Sequence, residues 1–296
     1  MHQPVLCIGE ILWDTMPRGL FLGGAPFNVA RHLKTLGEEV AFASRVGDDQ
    51  LGREAIRRVR FHGIATDYIQ IDPTLKTGFV EVELAVDGVP GYVIHHPVAW
   101  DAIEWYDDLL QLSANAKAVV FGTLAQRSAA SRETIKKVVN GSDESFKVVD
   151  LNLRPPFDDP QVIRLSLELA DGVKMNDEEL LHLKRIFALE GGDDQVVEEL
   201  AQRFGLEMIC VTRGAEGAML WLRGEWATVP GIRVEVADTV GSGDAFLAAL
   251  LKGYLQNLPA DEMLIRANQL GAFVATQPGG TPDYSITSLD GIPALL

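Results

Sequence analysis

One short segment, Asp238–Phe246, combines the residue types that phosphoryl transfer requires. It reads Asp-Thr-Val-Gly-Ser-Gly-Asp-Ala-Phe and leads directly into an apolar run with helical spacing. Small residues at the start of a helix let successive backbone N–H groups converge on an anion, and the helix dipole favours negative charge there. The segment therefore predicts an anion-binding turn formed by Gly241, Ser242 and Gly243.

The last acidic residue of this segment, Asp244, needs its own explanation because a carboxylate repels a phosphate group. Accepting the proton of an attacking hydroxyl is a role that places a carboxylate beside a transferring phosphoryl group. We therefore interpret Asp244 as a general base. The alternative is an aspartate that only caps a tight turn, and a short glycine-rich turn taken alone does not decide between the two.

The elements that must position this turn follow from the hydrophobic pattern. Short β-branched runs alternate with amphipathic stretches, which predicts parallel βαβ units. The predicted strands are Val5–Gly9, Val40–Val46, Ala118–Phe121, Lys147–Leu151, Gly172–Met175 and Met208–Thr212. The predicted helices are Pro26–Leu36, Leu51–His62, Arg132–Val139, Gln161–Ala170, Glu178–Phe187, Gln195–Phe204, Gly243–Gln256 and Asp261–Thr276. This is an α/β fold with a doubly wound, mostly parallel sheet and helices on both faces.

The alternation stops over residues 68–95, where no helical period is present. Gly78–Val86 alternates between two faces, Asp87-Gly88 is a strong hairpin signal, and Val89–His95 has the pattern of a returning strand. We predict a β lid made of residues 11–22 and 68–97, inserted into a single domain of residues 1–296. An edge hairpin of the main sheet is the alternative.

Composition narrows the class of partner. With 26 basic and 42 acidic residues the net charge is −16, which disfavours nucleic acid or an anionic membrane as partner. No apolar run approaches the length of a membrane helix and no signal peptide is visible, which predicts a soluble, cytoplasmic protein. Cys7 and Cys210 lie inside apolar runs and are interpreted as core thiols.

The complete segment Asp238–Phe246 resembles the C-terminal signature of the ribokinase/PfkB family of carbohydrate kinases, although Ser242 stands where the family usually has alanine. Gly23–Ala30 (GGAPFNVA) resembles the N-terminal signature, and Val46–Gly52 resembles the family's VGxDxxG segment. These matches occur in the family's order and span nearly the whole chain. The resemblance implies a ribokinase-like fold and an ATP-dependent sugar kinase.

Sugar-binding roles are implied by the resemblance alone. They fall on residues in three parts of the chain: Asp14, Gly23, Gly24, Asn28, Asn152 and Arg154. The last two belong to Asp150-Leu151-Asn152-Leu153-Arg154, which looks like the DxNxR segment of fructokinase-like members. The alternatives are a turn aspartate, loop glycines, a polar residue at a helix start, a strand-end turn and a surface ion pair.

Nucleotide and metal roles are also implied by the resemblance. Asn176 and Glu179 match the NxxE motif, which organises Mg²⁺ and phosphates largely through water. Thr212 and Gly214 resemble the loop beneath ATP, and Asn268 matches a position that lines the adenine pocket. A helix N-terminus with acidic residues is the alternative for the NxxE match, and a capped or solvated asparagine is the alternative for Asn268.

Within the family the resemblance favours D-fructose, phosphorylated at its 6-hydroxyl by Mg·ATP. It leaves open ribose, 2-keto-3-deoxygluconate, a phosphosugar or a nucleoside, as well as activation by K⁺ and a homodimer formed through the lid. A non-catalytic sugar-binding regulator is a second class, which the intact turn and Asp244 disfavour. An NAD-dependent enzyme is a third class, and its glycine fingerprint is missing.

Overall fold

A computed structural model of the chain describes residues 3–16, 19–84 and 90–285. The strands in these ranges are β1 (Val5–Ile8), β2 (Leu12–Met16), β3 (Gly19–Gly23), β4 (Val40–Gly47), β5 (Ile69–Asp72), β6 (Gly78–Leu84), β7 (Pro90–Ile94), β8 (Ala118–Gly122), β9 (Phe146–Asp150), β10 (Gly172–Asn176), β11 (Met208–Thr212), β12 (Ala218–Leu222) and β13 (Glu225–Val229). The helices are α1 (Ala25–Thr35), α2 (Gln50–Phe61), α3 (Asp107–Ala114), α4 (Ala129–Asn140), α5 (Pro160–Leu169), α6 (Asp177–Phe187), α7 (Asp193–Phe204), α8 (Ser242–Leu255) and α9 (Ala260–Ala275).

The large sheet has the strand order β13-β12-β11-β10-β9-β8-β1-β4-β5. Seven of these strands run parallel, from β5 to β11, and the β12–β13 hairpin closes one edge in antiparallel fashion. Strands that follow β1 early in the chain lie on one side of it, and later strands lie on the other. This reversal opens a crevice beyond the carboxyl ends of the central strands.

Helices cover both faces of this sheet, as the unbroken apolar strands require. Alternate residues of one strand enter different cores, because successive side chains point to opposite faces. In β1, Cys7 packs with α1, α8 and α9, whereas Ile8 packs with the layer of α3–α7. Cys7 and Cys210 are both free and buried, as predicted. Within the described ranges, no helix is long and apolar enough to cross a membrane.

A second, four-stranded sheet has the order β3-β2-β6-β7 and stands apart from the large one. It joins the N-terminal segment to the predicted hairpin, whose turn at Asp87-Gly88 lies outside the described residues. The predicted insertion at 68–97 begins too early, because β5 pairs with β4 and extends the large sheet. Its polar, half-exposed sequence IQID gave no strand period strong enough to separate it from the hairpin.

Arg127 fixes the place where the small sheet returns to the large one. Its guanidinium lies 3.9 Å from the centre of the Trp100 ring, donates to both carboxylate oxygens of Asp101 at 2.8 and 2.9 Å, and donates to the His95 carbonyl at 2.6 Å. Arg127 and Asp101 are both buried. A buried, bidentate ion pair of this kind favours one fixed geometry for this junction.

Candidate active site

Four polar residues lie at one edge of the large sheet, because the carboxyl ends of its parallel strands meet there. Glu10 follows β1, Asp150 ends β9, Asn176 ends β10 and Thr212 ends β11. Asp14 reaches the same region from β2 of the small sheet, since its charge interacts with that of Asp244. The crevice therefore lies between the two sheets, at the reversal of strand order.

The predicted anion turn lies at the N-terminus of α8, a helix of 14 residues. Gly241 has φ 73°, and a side chain on it would collide with Gly280, so glycine is required for both conformation and space. Ser242 donates from its hydroxyl to the Gly271 carbonyl of α9 at 2.9 Å. The serine thus ties the start of α8 to α9 while its backbone N–H remains in the turn.

Asp244 lies in the first turn of α8 and is buried. Asn28 of α1 donates from Nδ2 to its Oδ2 at 2.8 Å. Burial raises the pKa of Asp244 to about 6, and the Asp150 carboxylate adds to that rise, whereas Lys174 and the Asn28 hydrogen bond oppose it. A carboxyl group with this pKa is ionised at neutral pH and can accept a proton.

Lys174 of β10 was missed by the sequence analysis. Its buried ammonium donates to Asp150 at 3.1 and 3.3 Å, and a Cβ added to Gly243 would lie 2.8 Å from Nζ. Burial alone would lower the pKa of Lys174, but the carboxylates of Asp150, Glu179 and Asp244 hold it above its ordinary value. A positive charge therefore lies directly behind the anion turn.

The signal for Lys174 was present in the sequence as a lysine inside the apolar run Gly172–Met175. A charged residue in a strand covered on both faces must have a partner, because an unpaired buried charge is costly. That argument predicts a buried ion pair near a strand end. It cannot name Asp150 as the partner without the strand order.

Glu10 is a second residue that the sequence analysis did not assign. It is buried, its Oε2 has no hydrogen-bond partner, and burial raises its pKa to about 7. Burial also raises the pKa of Asp14 to about 6, with Arg154 opposing and Asp244 adding to the shift. Near neutral pH, Glu10 can therefore exchange hydrogen bonds with hydroxyl groups in either direction, whereas Asp14 mainly accepts them.

Gly23, Gly24 and Asn28 lie together around these carboxyl groups. A side chain on Gly23 would collide with Asp14 Oδ2, and one on Gly24, at φ 107°, would collide with the Glu10 carbonyl. The Oδ1 of Asn28 is buried without a hydrogen-bond partner. A buried amide oxygen of this kind is costly unless a donor reaches it, and a ligand hydroxyl is a suitable donor.

Asn152 and Arg154 lie on the loop that follows β9. Asn152 takes the left-handed conformation at φ 38°, and Arg154 is exposed and donates to the Leu153 carbonyl at 3.1 Å. The charge of Arg154 nevertheless lowers the pKa values of Glu10, Asp14 and Asp244. The guanidinium therefore faces the same crevice as these three carboxyl groups.

Asn176 and Glu179 form a reciprocal cap at the start of α6. Asn176 Oδ1 accepts from the Glu179 N–H at 2.7 Å, and Glu179 Oε2 accepts from the Asn176 N–H at 2.8 Å. Glu179 Oε1 also accepts from the Leu153 N–H at 2.7 Å, which ties the Asp150–Arg154 loop to α6. The helix-start alternative is thus present in the structure, and the metal role of these two residues stays a prediction.

The oxygen-rich donor set suits a hard divalent cation held mainly by phosphate and water. Both Glu179 oxygens already accept backbone hydrogen bonds, and in the described part of the chain no three His, Cys, Asp or Glu side chains are grouped to hold a metal. Mg²⁺ keeps several of its waters in nucleotide sites. Asn176 and Glu179 therefore fit a role as acceptors for metal-bound water.

A cavity of about 480 Å³ opens beside the anion turn. It brings together the predicted Thr212, Gly214, Ser242, Gly243 and Asn268. Its remaining lining is Ala215, Gly217, Ile232, Arg233, Val234, Val236, Thr239, Phe246, Gly271, Ala272 and Ala275. The mostly apolar walls and the anion turn at one end suit a flat base with a phosphate chain.

The polar residues of this cavity are partly committed to the protein. Asn268 donates from Nδ2 to the Pro230 carbonyl at 2.8 Å. The amide nitrogen is therefore bound to the protein, as the capped-asparagine alternative expects. A Cβ on Gly214 would meet no protein atom within 4 Å, which leaves an open surface there. Three of the predicted nucleotide residues, Thr212, Gly214 and Asn268, thus border one cavity, whereas Asn176 does not line it.

Comparison with known proteins gives the same family. The pfkB family of carbohydrate kinases matches residues 18–287. A fructokinase of Klebsiella pneumoniae is 30% identical over 304 residues, which cover 94% of this chain and 95% of that protein. The crystal structure of a Xylella fastidiosa fructokinase with bound ATP has a TM-score of 0.84 at 25% identity, covering 99% of this chain and 98% of that one. A Pyrococcus horikoshii sugar kinase in complex with ATP has a TM-score of 0.77 at 28% identity over 94% of both chains.

Proposed function

The chain belongs to the pfkB family of carbohydrate kinases and is a phosphotransferase with an alcohol acceptor, and from this premise we propose that it transfers the γ-phosphoryl group of Mg·ATP to the 6-hydroxyl of D-fructose. The observation that carries the proposal is the buried Asp244, held by Asn28 and placed one residue after the anion turn. A base and an anion site within one helical turn suit an in-line transfer to a hydroxyl.

Asp244 takes the proton from the attacking hydroxyl as the new O–P bond forms, while the bond from the γ-phosphorus to the β,γ-bridging oxygen of ATP breaks and ADP leaves. The N–H groups of Gly241, Ser242 and Gly243 bind the phosphoryl oxygens as charge develops on them. The Lys174 ammonium lies next to Gly243 on the protein side of this turn, so its positive charge is in place before the reaction begins. Preorganised charge of this kind costs no reorganisation when the phosphoryl group moves.

The sugar lies against the edge of α1 in this proposal. Asp14, Glu10 and the free Oδ1 of Asn28 receive its hydroxyl groups, while Gly23 and Gly24 give the space for close approach. Arg154, whose charge faces these carboxyl groups, completes the rim with Asn152. A furanose with several hydroxyl groups matches this ring of acceptors.

ATP occupies the cavity beside Gly243, with its base toward Asn268 and its phosphates toward the anion turn. Mg²⁺ neutralises phosphate charge in phosphoryl transfer, and Asn176 and Glu179 would receive its waters. No Mg²⁺ ligand is supplied directly by Glu179 in this arrangement, because both of its oxygens hold backbone N–H groups.

Substrate choice is the part of the proposal that a direct assay tests. ADP release from Mg·ATP is measured with fructose, ribose, 2-keto-3-deoxygluconate, fructose and tagatose phosphates and adenosine, and the phosphorylated carbon is identified by NMR. We expect the highest kcat/KM with fructose and a 6-phosphate product. A much higher kcat/KM with another acceptor refutes fructose and leaves the kinase intact, and repeating the assay with KCl in place of NaCl tests for activation by K⁺.

A further inference from the structure

His32 of α1 is fully buried and both of its ring nitrogens are hydrogen-bonded. Nε2 lies 2.9 Å from the Gly280 carbonyl oxygen, and Nδ1 lies 2.9 Å from the Tyr284 hydroxyl. The Tyr284 ring also stacks on the imidazole, with 5.7 Å between centroids and 28° between planes. None of these contacts involves a residue assigned above to sugar or nucleotide.

The partners fix the state of the imidazole. A carbonyl oxygen only accepts, so Nε2 carries the proton and donates to Gly280, and Nδ1 accepts from the Tyr284 hydroxyl. Burial lowers the pKa of His32 to about 4, so the ring is neutral under ordinary conditions. The histidine therefore acts as a fixed donor toward Gly280, and proton transfer is not its role.

Gly280 is the neighbour of the anion turn. A Cβ added to Gly241 would lie 2.5 Å from the Gly280 carbonyl oxygen, the same atom to which His32 donates. Asp238 holds the residue before Gly280, because its Oδ2 accepts from the Gly279 N–H at 3.2 Å. The segment Gly279–Gly280 thus forms the surface against which the anion turn is packed.

Helix α1 connects this surface to the proposed sugar site. Asn28 and His32 are four residues apart and lie on the same side of the helix. Asn28 contacts the base Asp244 at 2.8 Å, and a Cβ on Gly280 would lie 3.1 Å from Asn28 Nδ2. One face of α1 therefore contacts both Asp244, the proposed base, and Gly280, against which the anion turn packs.

We propose that His32 is a positioning residue for phosphoryl transfer, which holds Gly280 against Gly241 and so fixes the anion turn relative to Asp244. The inference rests on the proposed role of that turn. A misplacement of about 1 Å in a reacting group can cost on the order of 100-fold in rate. Loss of the His32 donor should accordingly lower kcat more than it raises the KM for the sugar.

The test compares H32N and H32Q in the full chain, using ADP release with fructose, or with the best acceptor from the panel. Asparagine can still meet the Tyr284 hydroxyl but does not reach Gly280, whereas glutamine extends its amide N–H to about the position of Nε2. We expect kcat of H32N to fall about 10-fold or more with the fructose KM changed less than about threefold, and H32Q to recover most of kcat.

D283A is the matched control on the same segment. The Asp283 carboxylate pairs with Arg31 at 2.8 Å, but its side chain is 83% exposed, so its removal should leave kcat within about twofold. G280A is a second variant, which keeps the imidazole and disturbs the packing that His32 is proposed to hold: its methyl group would lie 3.1 Å from Asn28 Nδ2 and 3.3 Å from the Gly241 Cα. It should lower kcat, and a wild-type kcat in G280A overturns the inference even if H32N does not fold.

The outcomes separate this inference from the function that it rests on. If H32N and G280A keep wild-type kcat while D244N is inactive, the role of His32 is overturned and the proposed site remains. Equal losses in H32N and H32Q, or in H32N and D283A, also overturn it, because the Gly280 hydrogen bond would then not be the cause. If D244N itself stays active, the proposed function fails first.

Discussion

At the scale of single residues, the proposed mechanism gives Asp244 and Gly243 separable tasks within one helical turn. Asp244 accepts a proton in this proposal, and Gly243 keeps space for Lys174 behind the N–H groups of the turn. Substituting each residue in turn therefore distinguishes proton transfer from anion binding. Neither residue could be exchanged for the other without losing one of the two tasks.

D244N should lower kcat by about 10²–10⁴ while ATP and sugar binding remain nearly intact. The amide keeps the size of the side chain and removes a buried negative charge beside phosphate, so nucleotide binding can even tighten. Steady-state kinetics and calorimetric titration with ATP and fructose measure the two effects. A variant that retains more than about a tenth of wild-type kcat would show that Asp244 is a cap and that another group is the base.

G243A provides the contrast to that variant. A methyl group at this position would lie 2.8 Å from Lys174 Nζ and must displace either the ammonium or the turn. We therefore expect both weaker ATP binding and a lower kcat, measured by the same titration and kinetics. Wild-type ATP affinity in G243A would contradict the assignment of this turn to phosphate.

Lys174 and Asp150 should shift the acid limb of the pH profile in opposite directions. Asp244 must be ionised to accept a proton, and its pKa of about 6 predicts that kcat/KM falls as pH drops through that value. Lys174 lowers the pKa of Asp244 and Asp150 raises it. K174M should therefore move the limb to higher pH, and D150N should move it to lower pH.

The measurement is kcat/KM for fructose across pH 4–8 in the three proteins. Glu10, Asp14, Asp238 and Arg154 also interact electrostatically with this group of charges, and they are unchanged in both variants. If K174M and D150N move the acid limb in the same direction, the two residues act through the structure of the site and not through their charges.

At the scale of elements, two contacts join the four-stranded sheet to the rest of the domain. Arg127 fixes its return to the large sheet through Asp101 and the His95 carbonyl, and Trp13 of β2 donates from its indole to the Leu51 carbonyl at 3.1 Å. Asp14 of β2 interacts electrostatically with Asp244, so the sheet borders the crevice. We propose that it closes over a bound sugar.

We expect hydrogen exchange in Gly78–Leu84 and Pro90–Ile94 to slow when fructose saturates the protein. Closure would exclude water from the transferring group, which limits wasteful hydrolysis of ATP and strengthens local electrostatics. Exchange measured by mass spectrometry tests this, with the β12–β13 hairpin as the internal control that should not change. Unchanged exchange in both strands of the small sheet would refute the lid.

At the scale of the whole molecule, the two hydrophobic clusters share one sheet and cannot be separated along the chain. Cys7 and Ile8 are adjacent in β1 yet belong to different clusters, and the same holds for Val148 and Val149 in β9. Loss of any central strand would expose both cores at once. Residues 1–296 should therefore unfold as one cooperative domain.

Differential scanning calorimetry of the ligand-free protein tests this expectation. We expect a single transition in which the calorimetric and van't Hoff enthalpies agree. Fructose or Mg·ATP at about 100 times its Kd should stabilise the folded state by about 2.7 kcal/mol. Two resolved transitions would instead indicate that the small sheet or another part folds as a separate unit.

The helices, the strands of the large sheet and the residues of the predicted anion turn follow from local patterns in the sequence. Hydrophobic period is a local property, so all six predicted strands and all eight predicted helices are present with ends displaced by three residues or fewer. The helix Asp107–Ala114 was missed because eight residues carry too little period to identify it. The nonapeptide at 238–246 likewise contains both of its parts, anion turn and carboxylate, in consecutive positions.

Which distant groups face each other follows from the packing of the folded chain and not from local sequence. The partnership of Lys174 with Asp150, the contact of Asn28 with Asp244, and the donation from His32 to Gly280 each join residues 24 to 248 positions apart. Strand order sets the first contact, and the packing of α1 against α8 and the C-terminal segment sets the other two. Burial then decides the charge states, because the pKa of a carboxyl or imidazole depends on its surroundings and not on its place in the chain.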